Sequence, residues 1–301
     1  MSRAILITGA TGLVGSALAE RLSRSGHRVV ALRRAPPGTS PGPTWDPACG
    51  QVHLDTATPP DAVVHLAGET IARRWTRAAR ERIRASRVDA TRLLCEALSQ
   101  LPRPPRVLVC ASATGFYGDR GDEILDEQSR PGTGFLPEVC QAWEAAAAPA
   151  RQHGMRVVHL RLGMVLARGG GALARMLPAF RIGLGGRLGT GRQYWSWISL
   201  EDSLRVVELA LQDDNLSGAV NVVSPAATTN AGFTEALARA LRRPAFLPVS
   251  AFVVKLIFGA MGRETLLASA RVQPGRLLKV GFKYHSPTLE TAFNSILAAN
   301  H

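Results

Sequence analysis

The sequence predicts an α/β fold built on a doubly wound parallel sheet, followed by a smaller C-terminal lobe. In the first half of the chain, short β-branched apolar runs alternate with segments of helical periodicity. The connections between them are short, which favours parallel strands joined by crossover helices. From residue 166 onward, glycine-rich stretches replace this alternation, which indicates a separate lobe.

The chain opens with a strand, a glycine-rich turn and a helix. The apolar run 5–7 predicts a strand buried on both faces, and three glycines follow it at a spacing of three. The first glycine allows a tight turn, the second lets the backbone approach a phosphate, and the third lets the helix lie on the sheet. The helix N-terminus adds unpaired N–H groups and a positive dipole end. We predict that this turn holds a dinucleotide through Gly9, Thr11, Gly12, Leu13 and Val14.

The remaining segments extend the same alternation along the chain. Buried strands are predicted at 28–32, 61–66, 106–111, 155–160 and 219–223, with a short edge strand at 51–54. Helices are predicted at 75–100, as two helices or one kinked helix, at 136–152, and from 228 onward. This gives a nucleotide-binding domain over 1–165, to which 200–225 returns. Residues 166–199 and 226–301 form the lobe, over the strand ends where open α/β sheets bind ligands.

The end of the second strand carries the residues that select the type of dinucleotide. An acidic residue there would bind a ribose 2′-hydroxyl, whereas a guanidinium can bind a 2′-phosphate through two hydrogen bonds. Arg33 and Arg34 end this strand, and no acidic residue stands beside them. We therefore predict NADP as the cofactor rather than NAD. The alternative is an exposed basic strand end.

Composition excludes some classes of protein and leaves one open. The net charge is +13, but the arginines are spread along the chain, and their densest stretch, 73–92, is predicted to be a solvated helix face. A basic nucleic-acid-associated protein remains a minor alternative. No apolar run approaches the length of a membrane span, and the chain enters its first strand at once, so we expect a cytoplasmic protein without a membrane partner. Four dispersed cysteines match no zinc or disulfide spacing, which predicts free thiols and no metal: Cys49, Cys95, Cys110 and Cys140.

Several motifs resemble those of one enzyme superfamily. They are G-A-T-G-L-V-G at 9–15, H-L-A-G at 65–68 and S-A-T-G-F-Y-G at 112–118. Further stretches are S-R-V-D-A-T-R at 86–92, F-L-P-E-V-C-Q-A-W-E at 135–144, L-R-L-G-M-V-L at 160–166 and G-T-G-R-Q-Y-W-S-W-I at 189–198. Together they resemble the extended short-chain dehydrogenase/reductases, in particular the atypical epimerase-like group of the NAD-dependent epimerase/dehydratase superfamily, which has its own C-terminal domain.

This resemblance implies a Rossmann fold, a nicotinamide cofactor and a serine with a Tyr-x-x-x-Lys pair. In that pattern tyrosine is the acid or base, lysine lowers its pKa and holds the nicotinamide ribose, and serine orients the substrate oxygen. Ser112 stands at the serine position. Aligning Glu144 with the acidic residue after the motif puts Leu136 at the tyrosine and Cys140 at the lysine, and neither can perform that chemistry. The resemblance also places cofactor contacts at His65, Leu66, Ala67, Gly68 and Met164.

The candidate catalytic residues are therefore Ser112 and Tyr117. Tyr117 is interpreted as a pocket wall, an acid or base, or a surface tyrosine, and geometry alone decides between these. His65, at a strand end, is more typical of a satisfied structural histidine than of a proton carrier. Arg161, which ends another strand, either fixes an anionic substrate group or caps a loop.

Two functions stay open on these residues. The first is an NADP-dependent oxidoreductase or epimerase-like enzyme that acts on a small carbonyl, hydroxyl or sugar-type substrate, as a monomer or homodimer. The second is an NADPH-binding protein with little or no turnover that senses the cofactor or binds a partner. The missing tyrosine–lysine pair favours the second. Ser112 and the aromatic stretch 193–197, read as a substrate rim or as packing under a loop, favour the first.

Overall fold

An eight-stranded sheet organises the computed structural model, which describes residues 2–35 and 42–298. The strands, in chain order, are β1 (Ala4–Thr8), β2 (Arg28–Arg34), β3 (Thr44–Asp46), β4 (Gln51–His53), β5 (Ala62–His65), β6 (Val107–Ala113), β7 (Ile124–Leu125), β8 (Arg156–Leu162), β9 (Met164–Leu166), β10 (Tyr194–Trp195), β11 (Trp197–Ser199), β12 (Gly218–Val222), β13 (Thr228–Thr229) and β14 (Arg271–Val272). The helices are α1 (Leu13–Arg24), α2 (Arg77–Ala85), α3 (Val88–Ser99), α4 (Phe135–Ala145), α5 (Ala148–Gln152), α6 (Gly171–Arg181), α7 (Leu200–Gln212), α8 (Asn230–Leu241), α9 (Ala251–Met261), α10 (Gly275–Lys279) and α11 (Leu289–Ala298).

The order of the strands creates a crevice at one edge of the sheet. They lie in the order β12-β8-β6-β5-β1-β2-β3-β4, and every neighbouring pair is parallel except β3 with β4. From β1 the chain turns to β2 on one side and later returns to β5 on the other. Such a reversal opens a crevice at the carboxyl ends of the strands, where open α/β sheets bind ligands. The predicted doubly wound α/β fold is therefore confirmed, and it is Rossmann-like.

The sheet carries an apolar layer on each face because its central strands contain runs of consecutive apolar residues. Ile5 and Ile7 point to one face and pack with Leu18 and Leu22 of α1 and with residues of α7. Leu6 points to the other face and packs among residues of α3 and the start of α5. This double burial explains why the central strands read as unbroken apolar runs instead of alternating ones.

The C-terminal residues form a separate apolar core, but two of their elements, α7 and β12, pack with the sheet instead. Helices α6, α8 and α11 pack around Trp197, Phe233 and Phe293. In contrast, α7 packs on the α1 face and β12 forms the edge strand beside β8. Helix α9 presents Phe252, Leu256 and Ile257 to solvent. Across residues 2–35 and 42–298, no helix has the length and apolar character needed to cross a membrane.

Several predicted boundaries differ from the structure. The segment predicted as one helix over 136–152 is two helices, α4 and α5, because Pro149, in the first turn of α5, has no N–H with which to continue the hydrogen bonding of α4. Of the two alternatives predicted for 75–100, the structure has two helices, which meet at Ser86 and Arg87. Strand β2 extends to Arg34, and the predicted loop over 35–47 contains β3, which pairs with it. Residues 36–41 of that loop lie outside the described residues.

Candidate functional site

The glycine turn after β1 is packed so closely that only glycine fits at two of its positions. Gly9 has a φ of +69°, and a Cβ added to it would lie 2.8 Å from the carbonyl carbon of Leu66. A Cβ on Gly15 would lie 2.1 Å from the carbonyl oxygen of Gly9. The Gly12 N–H donates to that same oxygen over 3.0 Å and closes the turn. The turn, the helix and the exit of β5 are thus in backbone contact.

The N-terminus of α1 has the features of an anion-binding site. Its N-cap residue, Gly12, offers no side-chain cap, and its first turn contains no acidic residue. The first N–H groups of the helix, which include those of Leu13 and Val14, precede any intrahelical partner and can donate to a ligand. Thr11 and Gly12 are exposed, and Leu13 is half-buried. The turn therefore fits the diphosphate of a dinucleotide, as the sequence predicts.

Arg33 and Arg34 lie at the carboxyl end of β2, on the same edge of the sheet as the glycine turn. Both are exposed, and β3 pairs beside them through Thr44 and Trp45. This is the side of the crevice where the adenosine ribose of a dinucleotide lies in this type of fold. Their placement is compatible with contacts to a 2′-phosphate.

His65 has a structural environment. Its Nδ1 lies 2.7 Å from the Thr8 hydroxyl, and its Nε2 lies 2.9 Å from the Thr91 hydroxyl. Thr8 Oγ1 accepts the N–H groups of Leu66 and Ala67, each over 3.1 Å, so its own proton is directed to His65. Burial lowers the pKa of His65 to about 4, which keeps the ring neutral. The imidazole is fully buried, so a cofactor contact from His65 is restricted to its main chain.

Ser112 is the first member of a polar cluster at the end of β6, which we call the serine network (Ser112, Glu144 and Arg161). The Ser112 hydroxyl donates to Glu144 Oε1 over 2.7 Å. Arg161 binds the same carboxylate with two bonds, Nε to Oε1 at 2.9 Å and Nη2 to Oε2 at 3.0 Å. The Arg161 guanidinium also lies over the ring of Phe116, with its central carbon 3.5 Å from the ring centroid. Arg161 thus has a role that neither prediction included: it is the counter-ion of Glu144.

Tyr117 is buried completely, which excludes its interpretation as a surface tyrosine. Its hydroxyl lies 2.7 Å from Asn221 Oδ1 and 2.8 Å from the carbonyl oxygen of Asp126, and it accepts from Arg161 Nη1 over 2.9 Å. Burial raises the pKa of this phenol. The surface interpretation of Tyr117 is therefore wrong, and its contacts tie the loop after β6 to β12.

The two positions that the family pattern assigns to tyrosine and lysine carry buried apolar groups. Leu136 and Cys140 lie on α4 and pack against Gly115, where an added Cβ would lie 3.4 Å from Leu136 and 3.9 Å from the sulfur of Cys140. Burial raises the pKa of the Cys140 thiol to about 12, so it is neutral near pH 7. Neither residue can carry a proton to a substrate.

The remaining candidates, Met164 and the aromatic stretch 193–197, lie in and beside the β9–β11 ladder. Met164 is half-buried and pairs with Trp197 in the β9–β11 ladder, directly after β8. Trp195 and Trp197 are buried, and the indole N–H of Trp197 donates to the carbonyl of Ala226 over 3.1 Å. The aromatic stretch is therefore packing under a loop rather than a substrate rim.

The sequence analysis did not single out Arg87, which lies beside the crevice. Its guanidinium carbon lies 3.3 Å from the position that a Cβ on Gly68 would occupy. Arg87 is one of eight arginines between residues 73 and 92, and their spacing does not show which side chain points inward. The S-R-V-D-A-T-R motif was the one signal that could have identified it.

These features define the chain as a Rossmann-type, dinucleotide-binding protein with a C-terminal extension, and comparison with known proteins identifies its family. A sequence model described as "NAD dependent epimerase/dehydratase family" matches residues 5–223, and one described as "Domain of unknown function (DUF1731)" matches residues 249–296. The chain belongs to the NAD-dependent epimerase/dehydratase family.

Named relatives match along nearly the whole chain. Epimerase family protein MT2273 of Mycobacterium tuberculosis is 43% identical over 289 residues, which are 96% of this chain and 95% of that protein. Epimerase family protein SDR39U1 of Homo sapiens is 36% identical over 306 residues, 98% of this chain and 99% of that protein.

Solved structures match the fold as closely. The crystal structure of human SDR39U1 (isoform 2) with NADPH superposes with a TM-score of 0.89 at 36% identity, covering 99% of this chain and 100% of that one. A nucleoside-diphosphate sugar epimerase from Corynebacterium glutamicum has a TM-score of 0.79 at 34% identity, covering 99% of this chain and 59% of the other.

Proposed function

We propose that this protein binds NADP(H) and acts as an epimerase- or reductase-like enzyme on a small carbonyl, hydroxyl or sugar-type substrate. The observation that carries the proposal is the backbone contact of Gly9, Gly15 and Leu66, which leaves the amides at the start of α1 available at the crevice. The choice of NADP over NAD is supported by Arg33 and Arg34 and by the NADPH in the human SDR39U1 crystal structure. A cytoplasmic location and a monomeric or homodimeric state are part of the proposal.

The proposed function assigns separate roles to the cofactor, to the C-terminal residues and to the serine network. A bound nicotinamide would supply the hydride donor or acceptor, and residues 166–199 and 226–301 would recognise the substrate. Ser112 keeps lone pairs with which it can accept a hydrogen bond from a substrate hydroxyl while its own proton points to Glu144. Glu144, the ion-pair partner of Arg161, would receive that proton. The serine network thus takes over the proton path for which Leu136 and Cys140 are unsuited.

The second candidate function is cofactor binding without turnover. It is favoured by one observation: the three positions on which the family pattern or the motif would place a proton carrier are a leucine, a neutral buried thiol and a buried phenol, at Leu136, Cys140 and Tyr117. In that case occupancy by NADPH would stabilise one folded form that a partner recognises.

The experiment combines binding with turnover. Purified protein is titrated with NADPH and NADH by fluorescence. Reductase turnover is then followed as NADPH oxidation across a panel of small carbonyls, and epimerase turnover, which consumes no cofactor, as the interconversion of nucleotide-sugar epimers by chromatography. Turnover that Ser112→Ala abolishes, and that Ser25→Ala on the far end of α1 leaves unchanged, supports the enzyme. Saturable NADPH binding with neither oxidation nor epimer formation supports the second candidate. No saturable NADPH binding contradicts both.

A further inference from the structure

Arg87 lies at the junction of α2 and α3, with its side chain directed to the exit of β5. Its guanidinium lies against the main chain of Gly68, 3.3 Å from the position of an added Cβ. Gly68 is exposed and follows β5 by three residues, on the edge of the sheet where the crevice opens. The guanidinium is therefore at the crevice and on the opposite side of β1 from Arg33 and Arg34.

The hydrogen bonds within the chain leave most of this guanidinium unused. Nη1 donates to the carbonyl of Ile83 over 3.2 Å and, over 3.4 Å, to the hydroxyl of Ser86. Within residues 2–35 and 42–298, no carboxylate oxygen lies within 4.0 Å of it, and the nearby Glu69 pairs with Arg73 instead. Burial lowers the pKa of Arg87, but an arginine keeps its charge at neutral pH. A half-buried cation with unused donors is suited to a ligand.

A rigid aromatic ring supports this cation. The guanidinium carbon lies 5.1 Å from the ring centroid of Trp143, within the range of a cation–π interaction. The Trp143 indole N–H donates to Thr91 Oγ1 over 2.9 Å, which fixes the ring. Cys140 stands three residues earlier on the same face of α4 and is neutral. Arg87 thus places a positive charge beside Trp143 on α4.

The location of Arg87 at the exit of β5 determines which half of a bound dinucleotide it would contact. A dinucleotide lies across the crevice at the switch point, with its adenosine at the end of β2 and its second nucleotide beyond β5. We propose that Arg87 binds the nicotinamide half of NADP(H) by donating hydrogen bonds to the ribose hydroxyls of that half. This inference rests on the proposed function, because it assumes that the dinucleotide occupies the crevice.

The test compares two ligands that share one half. NADPH reaches both ends of the crevice, whereas 2′,5′-ADP carries only the adenosine half with its 2′-phosphate. Arg87→Met keeps a long apolar stem over Trp143 and removes the charge, Arg87→Lys keeps the charge, and Arg84→Met on exposed α2 is the matched control. Dissociation constants for both ligands are measured by calorimetry at one salt concentration.

We expect Arg87→Met to raise the Kd for NADPH roughly tenfold or more, since it removes charge-assisted hydrogen bonds, and to leave the Kd for 2′,5′-ADP within about twofold. Arg87→Lys should recover most of the NADPH affinity, and Arg84→Met should match the wild type. Unchanged NADPH affinity in Arg87→Met, or an equal loss for both ligands, would overturn the inference while the proposed function stands. Failure of the wild type to bind NADPH would instead overturn the proposed function, and this inference with it.

Discussion

Removing one charge of the buried Arg161–Glu144 pair should destabilise the protein far more than removing both. The two side chains are 6% and 14% exposed, and two hydrogen bonds of 2.9 and 3.0 Å join them. At about 4 Å between charge centres and an effective dielectric of about 20, their attraction is about 4 kcal/mol. Arg161→Met leaves the Glu144 carboxylate buried with Ser112 as its remaining partner, at a cost of about 3–5 kcal/mol in the free energy of unfolding. The double variant, with Glu144→Met, should cost much less than the sum of the two single variants.

Urea denaturation followed by tryptophan fluorescence at pH 7 measures these costs as a double-mutant cycle. The matched control is the Arg77–Glu81 pair, whose side chains are 95% and 64% exposed. Arg77→Met there should change the free energy of unfolding by less than about 1 kcal/mol. The reasoning is refuted if Arg161→Met costs no more than the control, or if the two charges at the buried pair contribute additively.

Three further predictions concern the cofactor turn, the adenosine end and the buried histidines. Replacing Arg33 and Arg34 with alanine should weaken NADPH binding by about 1.5–3 kcal/mol per lost contact and spare NADH, and an equal loss for both cofactors in parallel titrations would contradict the assignment. Gly15→Ala places a Cβ 2.1 Å from a carbonyl oxygen, so NADPH affinity and the thermal midpoint should both fall, and an unchanged thermal midpoint would show that the turn relaxes freely. Burial lowers the pKa values of His65 and His159 from 6.5 to about 4, so the unfolded chain binds protons that the folded chain does not. Stability is then fully present above about pH 6.5 and is lost as the pH falls toward 4. Neither ring nitrogen of His159 has a hydrogen-bond partner within the described residues. Its replacement by methionine should therefore flatten this dependence in urea denaturation at pH 7 and pH 5, and a slope equal to that of the wild type would contradict it.

The central strands of the fold could be predicted because strands that are buried on both faces consist of consecutive apolar residues. Residues 5–7 are apolar without interruption, and the structure buries them on both faces. Strand β3 could not be predicted, since three residues that include Thr44 and Trp45 become a strand only through pairing with β2. The break between α4 and α5 depends on Pro149, which was present in the sequence but was outweighed by the surrounding alanines.

The parts of the candidate site that could be predicted lie within one short segment of sequence, whereas the others depend on contacts between distant segments. Gly9 and Gly15 lie within one short segment, so their spacing alone predicts the turn. The serine network joins residues from β6, α4 and β8, and no spacing in the sequence signals that these three side chains meet. The burial of Tyr117 could not be predicted, because the motif around it gives no information on its contacts with β12 and with the acidic loop.

Helix α4 connects the two parts of the site that the family pattern would otherwise concentrate in one tyrosine and one lysine. Glu144 on this helix accepts a hydrogen bond from the Ser112 hydroxyl, while its neighbour Trp143 lies against the guanidinium of Arg87. A phenol next to an ammonium group transfers protons readily because the cation lowers the pKa of the phenol. An arginine stays protonated, so Arg87 can hold a ligand but cannot relay a proton. If both proposals hold, the exchange of residues on α4 separates the binding of the cofactor from the movement of protons, which the serine network would carry out.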